Sequence, residues 1–181
     1  HKVKTIGDAY IVCCGAFSHI QQEAEAARRV VSMAISMQYI VAAKAMERGA
    51  DLSVRIGVHT GMVIGGIIGT VRFHFDMWGN GVAGAVRLEE LGQRGRVHLS
   101  DATAELIGDA LPLEPAFKPG ENASLEEGFG ITSTYLVVES AIEMSSYTME
   151  KVAISYDYDF SEVLQVNAPP PDGAKYPPPG D

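Results

Sequence analysis

Asp8 is the carboxylate best placed to do chemistry. It lies between two β-rich runs, Val3–Ile6 and Ala9–Cys14, and with Gly7 it makes a turn, so the opening reads as a β-hairpin with Asp8 at its tip. A carboxylate there is a hard oxygen ligand for a divalent cation or a plain turn residue, and composition alone favours the second. The other reactive side chains point away from common chemistries. His1, His19, His59, His74 and His98 have no metal-ligand spacing and no Cys pair to join, which argues against zinc. No Gly-x-Ser-x-Gly elbow is present, and Cys13 has no base near it in sequence, so nucleophilic hydrolysis has little support. Gly57, Gly61, Gly65 and Gly69 recur every fourth residue, but no Gly-Lys-Ser/Thr follows them. They fit tight turns and close strand packing better than a phosphate cradle.

The elements that must hold these residues read as α+β. Ser18 to Arg48 contains no Gly or Pro, and Ile20, Ala24, Ala27, Val31, Ala34, Ile35 and Gln38 recur at helical spacing, with Gly49 as the stop. Val54–Val58 and Met62–Ile64 flank Thr60-Gly61 and suggest a second hairpin, followed by an extended piece from Val71 to Met77. Gly79–Leu91 reads as a helix and Arg96–Leu99 as a strand. Ser100 is placed to cap a short helix starting at Asp101, and Leu111–Phe117 and Thr132–Glu139 are late strands joined by a Gly-rich acidic loop. Beyond Glu139, Val152, Ile154, Tyr156, Tyr158 and Phe160 alternate as a single strand would, and from Ala168 the chain is too rich in Pro and Gly to pack.

The 181 residues suit one domain with a tail. A net charge of −9 repels nucleic acid, so a polyanionic ligand must be held by local donors or by metal. The apolar stretch Val30–Ala43 is interrupted by Ser32, Ser36 and Gln38 and is too short to span a bilayer. Adjacent Cys13 and Cys14 are poor disulfide partners and suggest a reducing, cytoplasmic setting. The chain opens on His1 without a leader, as an internal piece of a longer protein would.

Three ordered segments carry a resemblance. Lys2-Val3-Lys4-Thr5-Ile6-Gly7-Asp8-Ala9-Tyr10 resembles the metal-site hairpin of class III adenylate and guanylate cyclases. Arg55-Ile56-Gly57-Val58-His59-Thr60-Gly61 with Val63–Gly69 resembles that family's next signature, and Phe75–Val82 with Ala85, Arg87 and Glu89 a third. The resemblance covers residues 1–139, closing with Gly130 and Thr134-Tyr135. It leaves 140–167 as an extension with one strand and 168–181 as a Pro-rich tail. It implies a ferredoxin-like α+β fold, an antiparallel sheet with helices on one face, whose first strand would precede His1. Two such units would pair head to tail to form sites at their interface. The reaction implied is attack of a ribose 3′-hydroxyl on the α-phosphorus of ATP, giving cyclic AMP and pyrophosphate with two Mg²⁺ or Mn²⁺ ions. The resemblance also allows a membrane-anchored parent protein, although this chain itself is read as carrying no span.

Carried over by position, Asp8 matches the second metal aspartate, Lys4 and Asp76 the purine-reading pair, and Arg87 the arginine that stabilises charge on the transferred phosphorus. A Lys donor and an Asp acceptor suit N1 and the exocyclic amine of adenine, which favours ATP over GTP. Three positions depart from the pattern. Ala83 stands for the ribose-orienting Asn, Phe129 for the triphosphate Lys, and Val86 for a Ser or Ala. The expectation is therefore one half of a shared site, inactive as an isolated chain, with a second cyclase domain as partner. The alternatives are a degenerate pseudo-cyclase that regulates or dimerises with a true one, a guanylate cyclase, and an unrelated ferredoxin-like binding domain.

Overall fold

With neither Gly nor Pro inside it, the segment after residue 22 forms a 26-residue helix, α1 (Glu23–Arg48). Glu23 and Glu25 lie in its first turn and Arg48 in its last, matching the helix dipole. Gly49 ends it in the left-handed conformation at φ 59°, which a β-carbon would disfavour. Its inward stripe is Ala27, Val31, Ala34, Ile35 and Gln38. In this computed structural model, which describes residues 1–16 and 22–138, that stripe packs against a four-stranded sheet. The strands and helices preceding and following α1 are β1 (Lys2–Ile6), β2 (Ala9–Val12), β3 (Ile56–Val58), β4 (Ile64–Ile68), β5 (His74–Trp78), α2 (Asn80–Glu90), β6 (Val97–Ser100), α3 (Asp101–Ile107), β7 (Leu113–Phe117), α4 (Ala123–Phe129) and β8 (Thr134–Val137). The tail readings, including the strand expected at Val152–Phe160, lie outside the described residues.

The central sheet has the order β3-β6-β8-β7, and β1-β2 and β4-β5 form separate two-stranded ribbons. β6 pairs parallel with β3 and antiparallel with β8, which pairs antiparallel with β7. Pro115 is accommodated because β7 is an edge strand. Alternation along β6 assigns the two faces. Val97 and Leu99 join α1 and Ile107 of α3 in the larger core, whereas His98 between them reaches the carbonyl of Leu88 in α2. The expected α+β class stands, refined by helices on both faces of this sheet. A smaller core of Leu88, Leu125 and Ile131, with Leu91, Phe117 and Phe129 against it, joins α2 to α4.

Two local expectations change. Residues 54–64 do not form a hairpin: β3 inserts beside β6, and β4 turns instead onto β5 with Ile64 opposite Trp78 and Ile68 opposite His74. The reason is burial. Val58 is buried in the larger core, while Met62, Ile64 and Ile67 are exposed, so the chain leaves the sheet at residues 59–63. The acidic loop between β7 and β8 contains α4, nucleated by Asn122, whose Oδ1 accepts from the N–H of Leu125.

Several polar ties set the frame. Buried Gln38 donates its amide to the carbonyls of Val54 and Arg96, each at 3.0 Å, which fixes α1 across the entrances to β3 and β6. Arg55 and Glu89, both in the quoted motifs and 34 positions apart, form an ion pair at 2.8 Å that clips β3 to α2. Gly57 permits that approach, because a β-carbon there would lie 2.3 Å from the Ala85 carbonyl oxygen and from the Glu89 nitrogen. Ser100 caps α3 as expected, its hydroxyl accepting from the Thr103 N–H.

Candidate functional site

The β1–β2 hairpin forms where it was expected, with Gly7 at φ 61° in its turn and Asp8 exposed beside it. Ile6 faces Ala9 and Lys4 faces Ile11 in its ladder. On the other side of the site, β5 carries Asp76. Lys4 and Asp76 meet although 72 positions separate them: Lys4 Nζ donates to Asp76 Oδ2 at 2.9 Å and lies 2.8 Å from Oδ1. Asp76 Oδ1 also accepts from the Met77 N–H at 2.8 Å. These partners hold the Asp76 carboxyl below the usual carboxylate range, the Lys4 hydrogen bond first and the Met77 amide second. The pair therefore presents an ammonium donor and an ionised acceptor side by side.

Asp8 makes no hydrogen bond or ion pair with the described residues, and among those residues no group of three His, Cys, Asp or Glu side chains could hold a metal ion. Its free, hard oxygen donors fit one position of a divalent-cation site. The described residues do not complete such a site, so a metal bound at Asp8 needs ligands from elsewhere.

Arg87 lies on α2. Its Nη1 donates to Glu90 Oε2 at 2.9 Å and its Nη2 to Ser124 Oγ of α4 at 3.4 Å. No described contact joins it to Asp8 or to the Lys4–Asp76 pair. Ala83, one turn before it on the same helix, is exposed and offers only a methyl group. Phe129 packs against the Leu88, Leu125 and Ile131 cluster. An aromatic ring thus stands in apolar contact where the resemblance would place a cation.

A polar network missed by sequence reasoning braces the neighbouring loop. His59 Nδ1 lies 2.9 Å from Ser100 Oγ, which is 3.1 Å from Thr103 Oγ1, itself 3.0 Å from Thr60 Oγ1. The ring is wedged between glycines: a β-carbon on Gly84 would come within 2.6 Å of His59 Cδ2, and one on Gly61 within 2.8 Å of Nε2. Burial lowers the His59 pKa, partly opposed by Asp101, so the neutral ring is favoured. The spaced glycines near His59 gave the sequence signal; the hydroxyl partners gave none.

The β4–β5 ribbon exposes apolar surface. Ile64, Ile67, Val71 and Phe73 are each more than 70 % accessible. No described helix is long and apolar enough to cross a membrane.

Comparison with known proteins now assigns the class. A family model described as the adenylate and guanylate cyclase catalytic domain matches residues 1–139, and the chain belongs to that family. Among curated proteins, the chain is 34 % identical over 139 residues to adenylate cyclase type 9 of Gallus gallus, covering 75 % of this chain and 10 % of that protein. It is 38 % identical over 106 residues to the germination-specific adenylate cyclase of Dictyostelium discoideum, covering 58 % of this chain and 12 % of that protein. The chain thus spans about a tenth of the length of these relatives. Among solved structures, the adenylyl cyclase CyaB from P. aeruginosa superposes with a TM-score of 0.63 at 26 % identity, covering 76 % of this chain and 71 % of that one. The guanylate cyclase domain of RhGC from Catenaria anguillulae in complex with GTP superposes with 0.61 at 27 % identity and the same coverage of each chain. These two likenesses, one to an adenylyl cyclase and one to a guanylate cyclase domain, are nearly equal.

Proposed function

We propose that this domain acts in the conversion of ATP to cyclic AMP and pyrophosphate as one half of a site shared with a second cyclase domain. The observation that carries the reading is the Lys4–Asp76 contact at 2.9 Å. An ammonium and a carboxylate held together on two strands can donate to N1 of adenine and accept from its exocyclic amine. Guanine presents the reverse pattern and leaves both side chains mismatched. Desolvated by the base, each mismatch costs about 1–3 kcal/mol.

The remaining roles follow from what each side chain can do. Asp8, unengaged at its hairpin tip, serves as one ligand of a divalent ion, Mg²⁺ or Mn²⁺, whose chemistry when bound is to acidify the 3′-hydroxyl and neutralise the leaving pyrophosphate. Arg87 presents a planar donor fork to oxygens that gain charge at the transferred phosphorus. Ala83 and Phe129 cannot orient the ribose or meet the triphosphate. The second domain therefore supplies an Asn and a Lys to the site that receives Asp8. The exposed apolar β4–β5 ribbon supports such an association, since isolated domains rarely leave a patch of that kind uncovered.

The test is reconstitution. The chain alone should form no measurable cyclic AMP from ATP with Mn²⁺. Extended at its N-terminus by a cyclase first strand that carries the other metal aspartate, and mixed with a cyclase domain that has the Asn and Lys but not its own metal aspartates, it should do so, and the Asp8→Ala version should not. Cyclic AMP formation by the isolated chain, or equal rescue by the Asp8→Ala chain, overturns the reading. A second reading, a regulatory pseudo-cyclase, draws on the packing of Phe129 into the α2–α4 cluster; it is favoured if the mixed domains associate but stay inactive.

A further inference from the structure

Ser124 is exposed in the first turn of α4 and stands within reach of a guanidinium that belongs to another helix. Its Oγ–H donates to Asn122 Oδ1 at 2.8 Å, while Arg87 Nη2 of α2 donates to the same Oγ at 3.4 Å. The residues that follow are Leu125, Glu126 and Glu127, so carboxylates occupy the second and third positions after the serine. That pattern suits acidophilic serine/threonine protein kinases. Ser53 is also bonded to an arginine, Arg94 at 2.8 Å, but is followed by Val54, Arg55 and Ile56 and has no such acids. Ser124 alone combines the acidic context with the waiting cation among these two.

We propose that Ser124 is a phosphorylation site whose phosphate is received by Arg87, drawing that guanidinium onto α4 and away from nucleotide. In the modification a kinase transfers the γ-phosphoryl group of ATP to Ser124 Oγ. The new bond is Oγ–P, the bond broken joins the γ-phosphorus to its bridging oxygen, ADP leaves, and the hydroxyl proton goes to the kinase's base. The product carries a charge of about −1.5 to −2 at neutral pH and three acceptor oxygens beyond Oγ, on the side where Arg87 already lies. A guanidinium meets two of those oxygens at once, a stronger arrangement than its present single contact with a neutral hydroxyl. Glu90, which now holds Nη1, is displaced or shares the fork. The modification removes the Ser124 donor from Asn122, but Asn122 Oδ1 keeps the Leu125 N–H at 3.3 Å, so the start of α4 remains capped.

The capture of Arg87 stands on geometry; its effect on turnover rests on the role proposed above for that arginine, and the experiment separates the two. The chain is incubated with an acidophilic serine/threonine kinase and Mg-ATP, and mass spectrometry should place one phosphate on Ser124 and none there in Ser124→Ala. Titration by ³¹P NMR should then show the second ionisation of the phosphoserine at lower pH than in phosphorylated Arg87→Gln. Absence of phosphate at Ser124 overturns the site, and identical titrations in the two proteins overturn the capture. In a mixed pair whose partner domain keeps its metal aspartates but lacks the Asn and Lys, built with this chain carrying Ala83→Asn and Phe129→Lys, phosphorylation should lower turnover about tenfold or more. Unchanged turnover with the titration shift present overturns the role of Arg87 while the modification and its capture stand.

Discussion

At the junction of β1 and β5, a cation and an anion 72 positions apart meet at 2.9 Å. At the junction of α2 and α4, the positions where the resemblance expects polar groups hold a methyl group, Ala83, and a half-buried phenyl ring, Phe129, packed against Leu88, Leu125 and Ile131. The first junction keeps two charged side chains that do little for folding, since a partly exposed ion pair contributes about 0–1 kcal/mol. The second exchanges polar reach for packing. On the function proposed above, the first junction reads the ligand while the second holds the fold together, a division that suits a domain lending half a site to a partner.

The strongest way to break that contrast is to restore the second junction. Ala83→Asn and Phe129→Lys together, in a homodimer of the chain extended at its N-terminus by a cyclase first strand, should raise kcat by one to three orders of magnitude, about 1.4–4 kcal/mol of transition-state stabilisation. Asp8→Ala in that background should abolish the gain. If the double variant binds ATP yet turns over no faster, the α2–α4 side has lost more than two contacts. The first junction is sharpened by reversing its reading of the base. Lys4→Glu with Asp76→Cys should move relative turnover from ATP toward GTP by roughly 5- to 150-fold for each mismatch removed, the equivalent of about 1–3 kcal/mol. An unmoved ratio would show that these side chains do not touch the purine.

Both junctions hang on the close seating of α2 against β3. Gly57→Ala would set a methyl group 2.3 Å from the Ala85 carbonyl oxygen, and helix backbone cannot yield as a side chain can. The variant should lose about 1–3 kcal/mol in denaturant unfolding, and α2, which carries Ala83 and Arg87, should move. A stability within 0.5 kcal/mol of the parent, about the range of harmless surface changes, would contradict this seating.

How much of this was readable in the sequence varied with the range of the interaction. The hairpin at Asp8, the stop at Gly49 and the cap at Ser100 depend on residues a few positions apart, and each formed as read. The partner of β3 was misread because a parallel crossover to β6 leaves no local mark, whereas Thr60-Gly61 mimics a turn. α4 was read as loop because Gly128 and a run of acids masked the Asn122 cap. The site residues Lys4 and Asp76 came from resemblance; no periodicity joins them. The His59–Ser100–Thr103–Thr60 network could not be foreseen, since hydroxyls on three elements acquire meaning only when the fold gathers them.

The smallest expected effect concerns the histidine that links the sheet to α2. His98 is buried, with Nδ1 2.8 Å from the Leu88 carbonyl oxygen and Nε2 2.7 Å from Thr134 Oγ1. A carbonyl can only accept, so Nδ1 carries the proton. Thr134 Oγ1 accepts from the Phe117 N–H at 3.2 Å and is left to donate to Nε2. The neutral ring thus satisfies every partner, and a second proton on Nε2 would oppose the Thr134 hydroxyl. Burial accordingly lowers the His98 pKa below the ordinary imidazole value, with the Leu88 carbonyl opposing only in part. Because the unfolded chain then binds the proton more readily than the folded one, stability is complete above the unfolded value of about 6.5 and is lost as pH falls through the folded one. The denaturation midpoint should fall between about pH 7.5 and about pH 5.5, a span that brackets that ordinary value. His98→Gln, which keeps a donor and an acceptor but does not titrate, should cost about 1–3 kcal/mol at neutral pH through imperfect geometry and should flatten the slope. Some slope should persist from His59, whose pKa is lowered in the same sense. Equal slopes in parent and variant would mean that His98 does not set the acid sensitivity of the α2–sheet junction, and that the contrast between the two halves must be drawn elsewhere.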